Sequence, residues 1–171
     1  ASESSSCVPR PESKRIEAET AALAEIGRVV GSTLNIDEVY EKFAAAARKL
    51  ISFDRIHVNL NSPDGEYFTT TYVSGIEIAG RRPGDKVPLA GSISDSVTRT
   101  RAGLCFHPAN EEELAGRFPS SSAATTFRRG MNSIMAVPLI YRDKVIGTLH
   151  FRSRERNAYT ERDLRVAEKI G

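Results

Sequence analysis

The chain has 171 residues, of which 40% are hydrophobic, which suits one domain with a real core. Its 24 basic and 22 acidic residues nearly balance. Proteins that bind nucleic acids usually carry a strong basic excess, so the composition does not indicate a nucleic-acid partner. No apolar run approaches the ~20 residues of a membrane span and no signal-peptide core is visible, so we expect no membrane span and a cytoplasmic location.

The first part of the chain divides into a polar tail and two helices. Residues 1–13 are rich in Ser, Pro and Glu without hydrophobic periodicity, which predicts a disordered tail or a remnant added for expression. Residues 14–171 are expected to form a single domain with flanking helices. Apolar residues at helical spacing predict the first helix, with one face formed by Ile16, Leu23, Ile26 and Val30. Asn35 is suited to cap a second helix, whose apolar face is formed by Val39, Phe43, Ala46, Ala47 and Leu50.

Strand patterns follow. Residues 55–61 alternate apolar with polar side chains, Pro63-Asp64-Gly65 is typical of a turn, and residues 67–73 are typical of a return strand. Further short elements are expected in chain order: a strand over 86–89, a helix capped by Ser92 or Ser94 that ends near Thr100, and a strand over 104–106.

The stretch from His107 to Arg129 is long and polar, and we predict a loop there. Loops longer than ~12–15 residues are usually functional lids or mobile segments. The candidate lid residues are Phe118 and Phe127 in this stretch and Met131 just after it. The acids at 111–113 are expected to be a solvated charge run in this loop.

The stretch from Asn132 to Phe151 predicts a hairpin buried on both faces, because two apolar runs flank the polar turn 141–144. A final helix, capped by Thr160, is expected to present Leu164, Val166, Ala167 and Ile170. The sequence stops inside this helix, so we expect it to be a piece of a longer protein.

One segment resembles the closing hairpin of GAF domains: Val137-Pro138-Leu139, then a short charged turn, then Val145-Ile146-Gly147. The resemblance extends from about Leu23 to Ile170. It implies an α+β fold, related to PAS domains, with a central antiparallel sheet of about six strands, helices on one face and a ligand pocket on the other.

The resemblance also implies a role: regulatory small-molecule sensing in a multidomain signal-transduction protein. A sensor histidine kinase of a two-component system is the expected parent, with a diguanylate cyclase or a transcriptional regulator as alternatives. Another alternative is a dimerisation and signal-relay module with no ligand. We expect a homodimer formed through the flanking helices, and no nucleic-acid partner.

The same resemblance places the pocket. Asp54-Arg55 matches the start of the first strand in phytochrome-like GAF domains, whose alternate residues face the ligand. Period-2 alternation then assigns six residues to the ligand pocket: His57, Asn59, Ile134, Ala136, Thr148 and His150. The two histidines are candidates to bind a metal, a haem or an anion, or to titrate near neutral pH, and otherwise to hydrogen-bond in a partly polar core. No metal site is assigned, because a third ligand is missing.

No enzyme signature is present, so we expect no catalytic residues in this stretch. The cofactor is unknown. Covalent bilin is not expected, since Ala123-Ala124-Thr125 stands where bilin-binding relatives carry a cysteine. Cys105 is expected to be a buried small hydrophobe, with redox chemistry as the enzymatic alternative.

Overall fold

The computed structural model describes residues 11–32 and 36–171, with the side chains of residues 11 and 27–32 left out. The chain divides into two compact units after Leu50. In the first unit, helix α1 (Pro11–Ser32) begins three residues earlier than the sequence pattern predicted. Proline fits the first turn of a helix, where its missing N–H is not needed, and Glu12 adds favourable negative charge there.

Helix α2 (Ile36–Arg48) carries the predicted apolar stripe. Asp37 and Glu38 lie in its first turn. Its buried residues are Val39, Phe43, Ala44, Ala46 and Ala47. The proposed cap, Asn35, and the side chain of Val30 lie outside the described residues.

The second unit contains a six-stranded antiparallel sheet, as predicted. Its strands are β1 (Arg55–Asn61), β2 (Tyr67–Gly75), β3 (Lys86–Pro88), β4 (Leu104–Phe106), β5 (Ser133–Tyr141) and β6 (Lys144–Ser153). The strand order is β3-β2-β1-β6-β5-β4, so the first strand of this unit pairs with the last. The turn between β5 and β6 places Arg142 and Asp143 at φ 49° and 63°, the mirror-image turn that matches strand twist.

Four helices complete the second unit: α3 (Ile93–Thr100), α4 (Glu111–Arg117), α5 (Ser121–Arg128) and α6 (Glu161–Ile170). Ser92 caps α3, and Thr160 caps α6 through a capping box. None of the described helices combines the length and apolar character that a membrane span needs.

Helices α4 and α5 correct the prediction of a long loop after His107. Asn110 caps α4 by accepting a hydrogen bond from the Glu113 N–H, and Ser120 caps α5. Leu114 is fully buried, which fixes α4 to the core. The acids at 111–113 therefore form the first turn of α4, where negative charge stabilises the helix dipole, and not a loop.

The two faces of the sheet are covered differently. Helix α6 lies over β4 and β5, with Leu164 beside Gly103. Helix α3 packs on β5 and β6 from the other face. There Ile93 and Val97 belong to an apolar cluster with Phe106, Leu114, Phe118, Ala123, Ile134 and Ala136. This cluster fills the β4–β5 half of that face.

The β1–β6 pairing depends on Gly147, because a Cβ there would overlap the carbonyl oxygen of Asn59. We expect Gly147→Ala to lower the free energy of unfolding by about 1–3 kcal/mol through overpacking. Gly116→Ala in α4 is the matched control, since open space surrounds that position. It should raise stability by about 0.5–1 kcal/mol through helix propensity. Urea denaturation measures both, and equal stability of the two variants would contradict the prediction.

Candidate functional site

The pairing of β1 with β6 aligns polar residues in three alternate residue pairs. His57 pairs with His150, Asn59 with Thr148, and Arg55 with Arg152. Cross-strand partners point to the same face, and alternate residues along a strand share it. All six side chains therefore lie on the face covered by α3.

The two histidines are stacked. Their ring centroids are 4.5 Å apart with an interplanar angle of 17°, and both are buried. Nδ1 of His150 lies 3.5 Å from Nη2 of Arg152. A guanidinium can only donate, so Nδ1 accepts, and the ring proton of the neutral form lies on Nε2. That proton is directed at the hydroxyl oxygens of Thr148 and Ser94, at 2.9 and 3.1 Å.

Ser94, in the first turn of α3, joins the helix to the sheet. Its Oγ accepts a hydrogen bond from Nδ2 of Asn59 at 3.2 Å and lies 2.8 Å from Oγ1 of Thr148. Oδ1 of Asn59 accepts in turn from the hydroxyl of Thr70 at 3.1 Å. The amide and hydroxyls form one connected network, which fixes the start of α3 over β1 and β6.

Three buried arginines surround this network: Arg55, Arg81 and Arg152. Arg55 donates to the carbonyl oxygens of Ile76 and Arg81, and so fixes the irregular segment that carries Arg81. The guanidinium of Arg81 lies over the ring of Phe68, 5.5 Å from its centroid. Within the described residues, no carboxylate is at ion-pair distance from any of the three.

Several buried polar atoms on this face have no hydrogen-bond partner in the described structure. They are Nε and Nη1 of Arg152, Nη1 of Arg81 and Nδ1 of His57. Arg152 is 2% exposed, so these donors are shielded from bulk solvent. Unsatisfied buried donors are rare in folded proteins, and each calls for an explanation.

A small cavity of about 10 Å³ lies among these groups. Its lining residues are Asn59, Phe68, Arg81, Ser92, Ile93, Ser94, Ser122, Ala123, His150 and Arg152. This volume is close to the minimum that one water molecule needs. A larger depression of about 380 Å³ near Asn61 and Lys144 is open to solvent and lacks the buried arginines.

The six predicted pocket residues share a face but separate into two groups. Asn59 and His150 line the cavity, whereas His57 and Thr148 contact His150. Ile134 and Ala136 lie in the apolar cluster. Whether any of the six binds a ligand stays a prediction.

The predicted lid residues are all at least partly buried. Phe118 lies in the apolar cluster, with its ring against Phe106, and Phe127 packs on that cluster. Met131 is fully buried. Sequence reasoning passed over the buried arginines, although Arg152 follows His150 by two positions and so shares its face.

Both buried histidines are poor proton acceptors in the folded state. Burial and the positive charges of Arg152, Arg81 and Arg55 hold the pKa of His150 well below its usual 6.5. Burial, then the neighbouring His150 and the same arginines, lower the pKa of His57. These lowered pKa values do not favour the expectation that the two histidines titrate near neutral pH. Among the described residues, no third histidine, cysteine or carboxylate joins them in a metal-ligand cluster.

Cys105 lies on the opposite face, beneath α6, where its Sγ is 3.9 Å from the carbonyl oxygen of Thr160. Burial, assisted by the acidic side chains of Asp163, Glu168 and Glu161, raises the pKa of its thiol to about 11. Reactive cysteines have depressed pKa values, so this environment does not favour redox chemistry.

The family model for GAF domains matches residues 33–171, and the chain belongs to this family. The fold matches solved GAF domains at low identity. One, from an Acinetobacter phosphoenolpyruvate-protein phosphotransferase, is 14% identical with a TM-score of 0.68, over 92% of this chain and 87% of that one. Another, from a two-component sensor histidine kinase of Bacillus halodurans, is 16% identical with a TM-score of 0.65, over 80% and 90%.

A free methionine-R-sulfoxide reductase from Neisseria meningitidis also has this fold, at 14% identity and a TM-score of 0.66, over 96% of this chain and 90% of that one. The fold is thus used by sensory domains and by an enzyme. No curated protein matches the chain.

The depressed histidine pKa values predict acid sensitivity. Below pH 6.5 the unfolded chain takes up protons that buried His57 and His150 resist, so stability falls as pH falls. Each histidine should contribute a loss of about 1 kcal/mol between pH 7 and pH 5.5. His57→Gln should reduce the loss measured by urea denaturation, and the half-buried His107→Gln should reduce it less. Identical pH dependence in wild type and His57→Gln would contradict this account.

Proposed function

We propose that this GAF domain is a regulatory sensor module, and that a small molecule binds on the sheet face covered by α3 and α5. The observation that carries the proposal is the buried polar interior of this face, with unpartnered donors on Arg152 and Arg81. Burying polar groups without partners costs about 1–3 kcal/mol each. A core selected for stability alone would contain apolar side chains here.

Binding requires movement, because the cavity holds about 10 Å³. Helix α5 is the element suited to move: Ser122 and Ala123 line the cavity with short side chains. Its start is held by one backbone hydrogen bond, from the Ser120 N–H to the Gly91 oxygen, and its end by an exposed ion pair between Arg128 and Glu111. Exposed ion pairs contribute little, so the main cost of moving α5 outward is the exposure of Ala123 and Phe127, which pack in the apolar cluster.

The parent protein that we propose is a multidomain signalling protein, a sensor histidine kinase. Family membership and the histidine-kinase GAF domain of the same fold support this assignment. Helix α5 lies on the sensing face and α6 on the other. Because both helices pack on the same sheet, strain that a ligand induces in the sheet transmits the signal from α5 to α6.

Native mass spectrometry of protein purified from cells tests the binding proposal. We expect a small molecule to be retained, or to be found in a thermal-shift screen of metabolites. Ala123→Leu should abolish binding by filling the cavity. Ala124→Leu, one position along α5 and outside the cavity lining, should preserve it. Absence of any ligand in both experiments, or equal binding by the two variants, would contradict the proposal.

A second candidate function is dimerisation for signal relay. The observation that favours it is Ile16 of α1, which is 57% exposed, whereas Ile26 on the predicted apolar face is buried. We propose that two copies pair through α1 and α6, because burying an aliphatic side chain contributes about 1.5–3 kcal/mol.

Sedimentation at several concentrations should show a weak dimer. Ile16→Glu should raise its dissociation constant at least tenfold, whereas Ala18→Glu, on another side of α1, should have a smaller effect. A strictly monomeric wild type would rule out the dimer and leave the sensing proposal standing.

A further inference from the structure

We infer that the ligand of the proposed sensing site is a small molecule bearing a carboxylate or phosphate group, and that Arg152 and Arg81 bind this oxyanion. The inference rests on the proposed function, which it deepens by naming the ligand class. Neither arginine was among the pocket residues indicated by the sequence.

Arg152 provides the strongest geometric argument. It projects from β6 beside His150 and lines the cavity, and its Nη2 makes a long contact of 3.5 Å with Nδ1 of His150. Nε and Nη1 are buried and have no partner in the described structure. These are adjacent donors of one guanidinium fork, the arrangement that matches two oxygens of a carboxylate or phosphate.

Arg81 supplies a second guanidinium from the segment between β2 and β3. It lines the same cavity, and its Nη1 is buried without a partner in the described structure. Arg55 places it there by donating to its carbonyl oxygen, so Arg55 acts as a positioning residue. The site thus draws cationic donors from two independent elements, each fixed by its own contacts.

The charge of the site is not neutralised by the protein. Burial, and then the like charges of Arg81 and Arg55, lower the pKa of Arg152 to about 9, and burial lowers the pKa of Arg81 to about 10. Asp85 and Glu77 are the acids that partly offset Arg81 and Arg55, without forming ion pairs in the described structure. Both arginines remain cationic at neutral pH. An anion in the cavity would supply the missing counter-charge.

The helices add to the positive potential, and Asp95 in the first turn of α3 offsets part of the contribution of that helix. The first turns of α3 and α5 both meet at the cavity, through Ser94 of α3 and through Ser122 and Ala123 of α5. Helix N-termini carry partial positive charge and attract anions. The hydroxyls of Ser92 and Ser94 add polar groups at the same point. Cations and helix dipoles therefore converge on one location, and no described carboxylate lines it.

Isothermal titration calorimetry with inorganic phosphate and with succinate, at constant ionic strength set by chloride, tests the inference. The two titrations distinguish a phosphate from a carboxylate ligand. We expect wild type to bind at least one, and Arg152→Gln and Arg81→Gln each to weaken binding at least tenfold. Arg154→Gln and Arg82→Gln, exposed neighbours of the two arginines, are the matched controls and should bind like wild type.

Circular dichroism establishes that each variant is folded, and Arg152→Lys gives a second test if Arg152→Gln does not fold. Lysine retains the charge but lacks the planar fork of N–H donors, so the anion affinity of Arg152→Lys should lie between those of wild type and Arg152→Gln. Equal weakening by Arg154→Gln would overturn the inference, and so would absence of binding to both anions. If native mass spectrometry then shows a retained uncharged molecule, the sensing proposal stands and the oxyanion assignment fails. If nothing of any charge binds, both fail.

Discussion

The antiparallel pairing of β1 with β6 is the constraint on which the rest of the structure depends. It places Arg55 opposite Arg152 and His57 opposite His150 on one face of the sheet. A shift of one residue would turn every side chain of β1 to the other face, because the side-chain period of a strand is two. Gly147 permits the pairing by leaving room for the backbone of Asn59. The polar residues share one face because this register holds.

That polar face divides the core into two parts with different physical roles. On the β4–β5 side, Phe106, Leu114 and Ile134 make a filled apolar cluster that stabilises the domain. On the β1–β6 side, stacked neutral histidines and buried guanidinium groups occupy the equivalent position. Neutral imidazoles suit this environment, because further positive charge beside the arginines would be unfavourable. We propose that stability comes from one half of the face and ligand recognition from the other.

Much of this could be predicted from the sequence, since alternation fixed the strands and their faces, and Thr160 and Ser92 marked helix starts by their capping chemistry. Helices α4 and α5 were missed because their short polar sequences show little periodicity. Arg81 could not be predicted, because it lies in an irregular segment and reaches the cavity through tertiary contacts. The period-2 alternation that places His150 on this face also places Arg152 there. A buried arginine was unexpected, since charged residues are rarely buried unless paired.

We propose that Arg152 is kept for binding and does not stabilise the fold. The most direct test is the free energy of unfolding of Arg152→Met, measured by urea denaturation in Tris–chloride free of phosphate and carboxylates. Methionine fills similar space without a buried charge, so the account predicts stability equal to that of wild type or up to about 4 kcal/mol higher. A loss of about 3 kcal/mol or more, typical of breaking a buried ion pair, would contradict it.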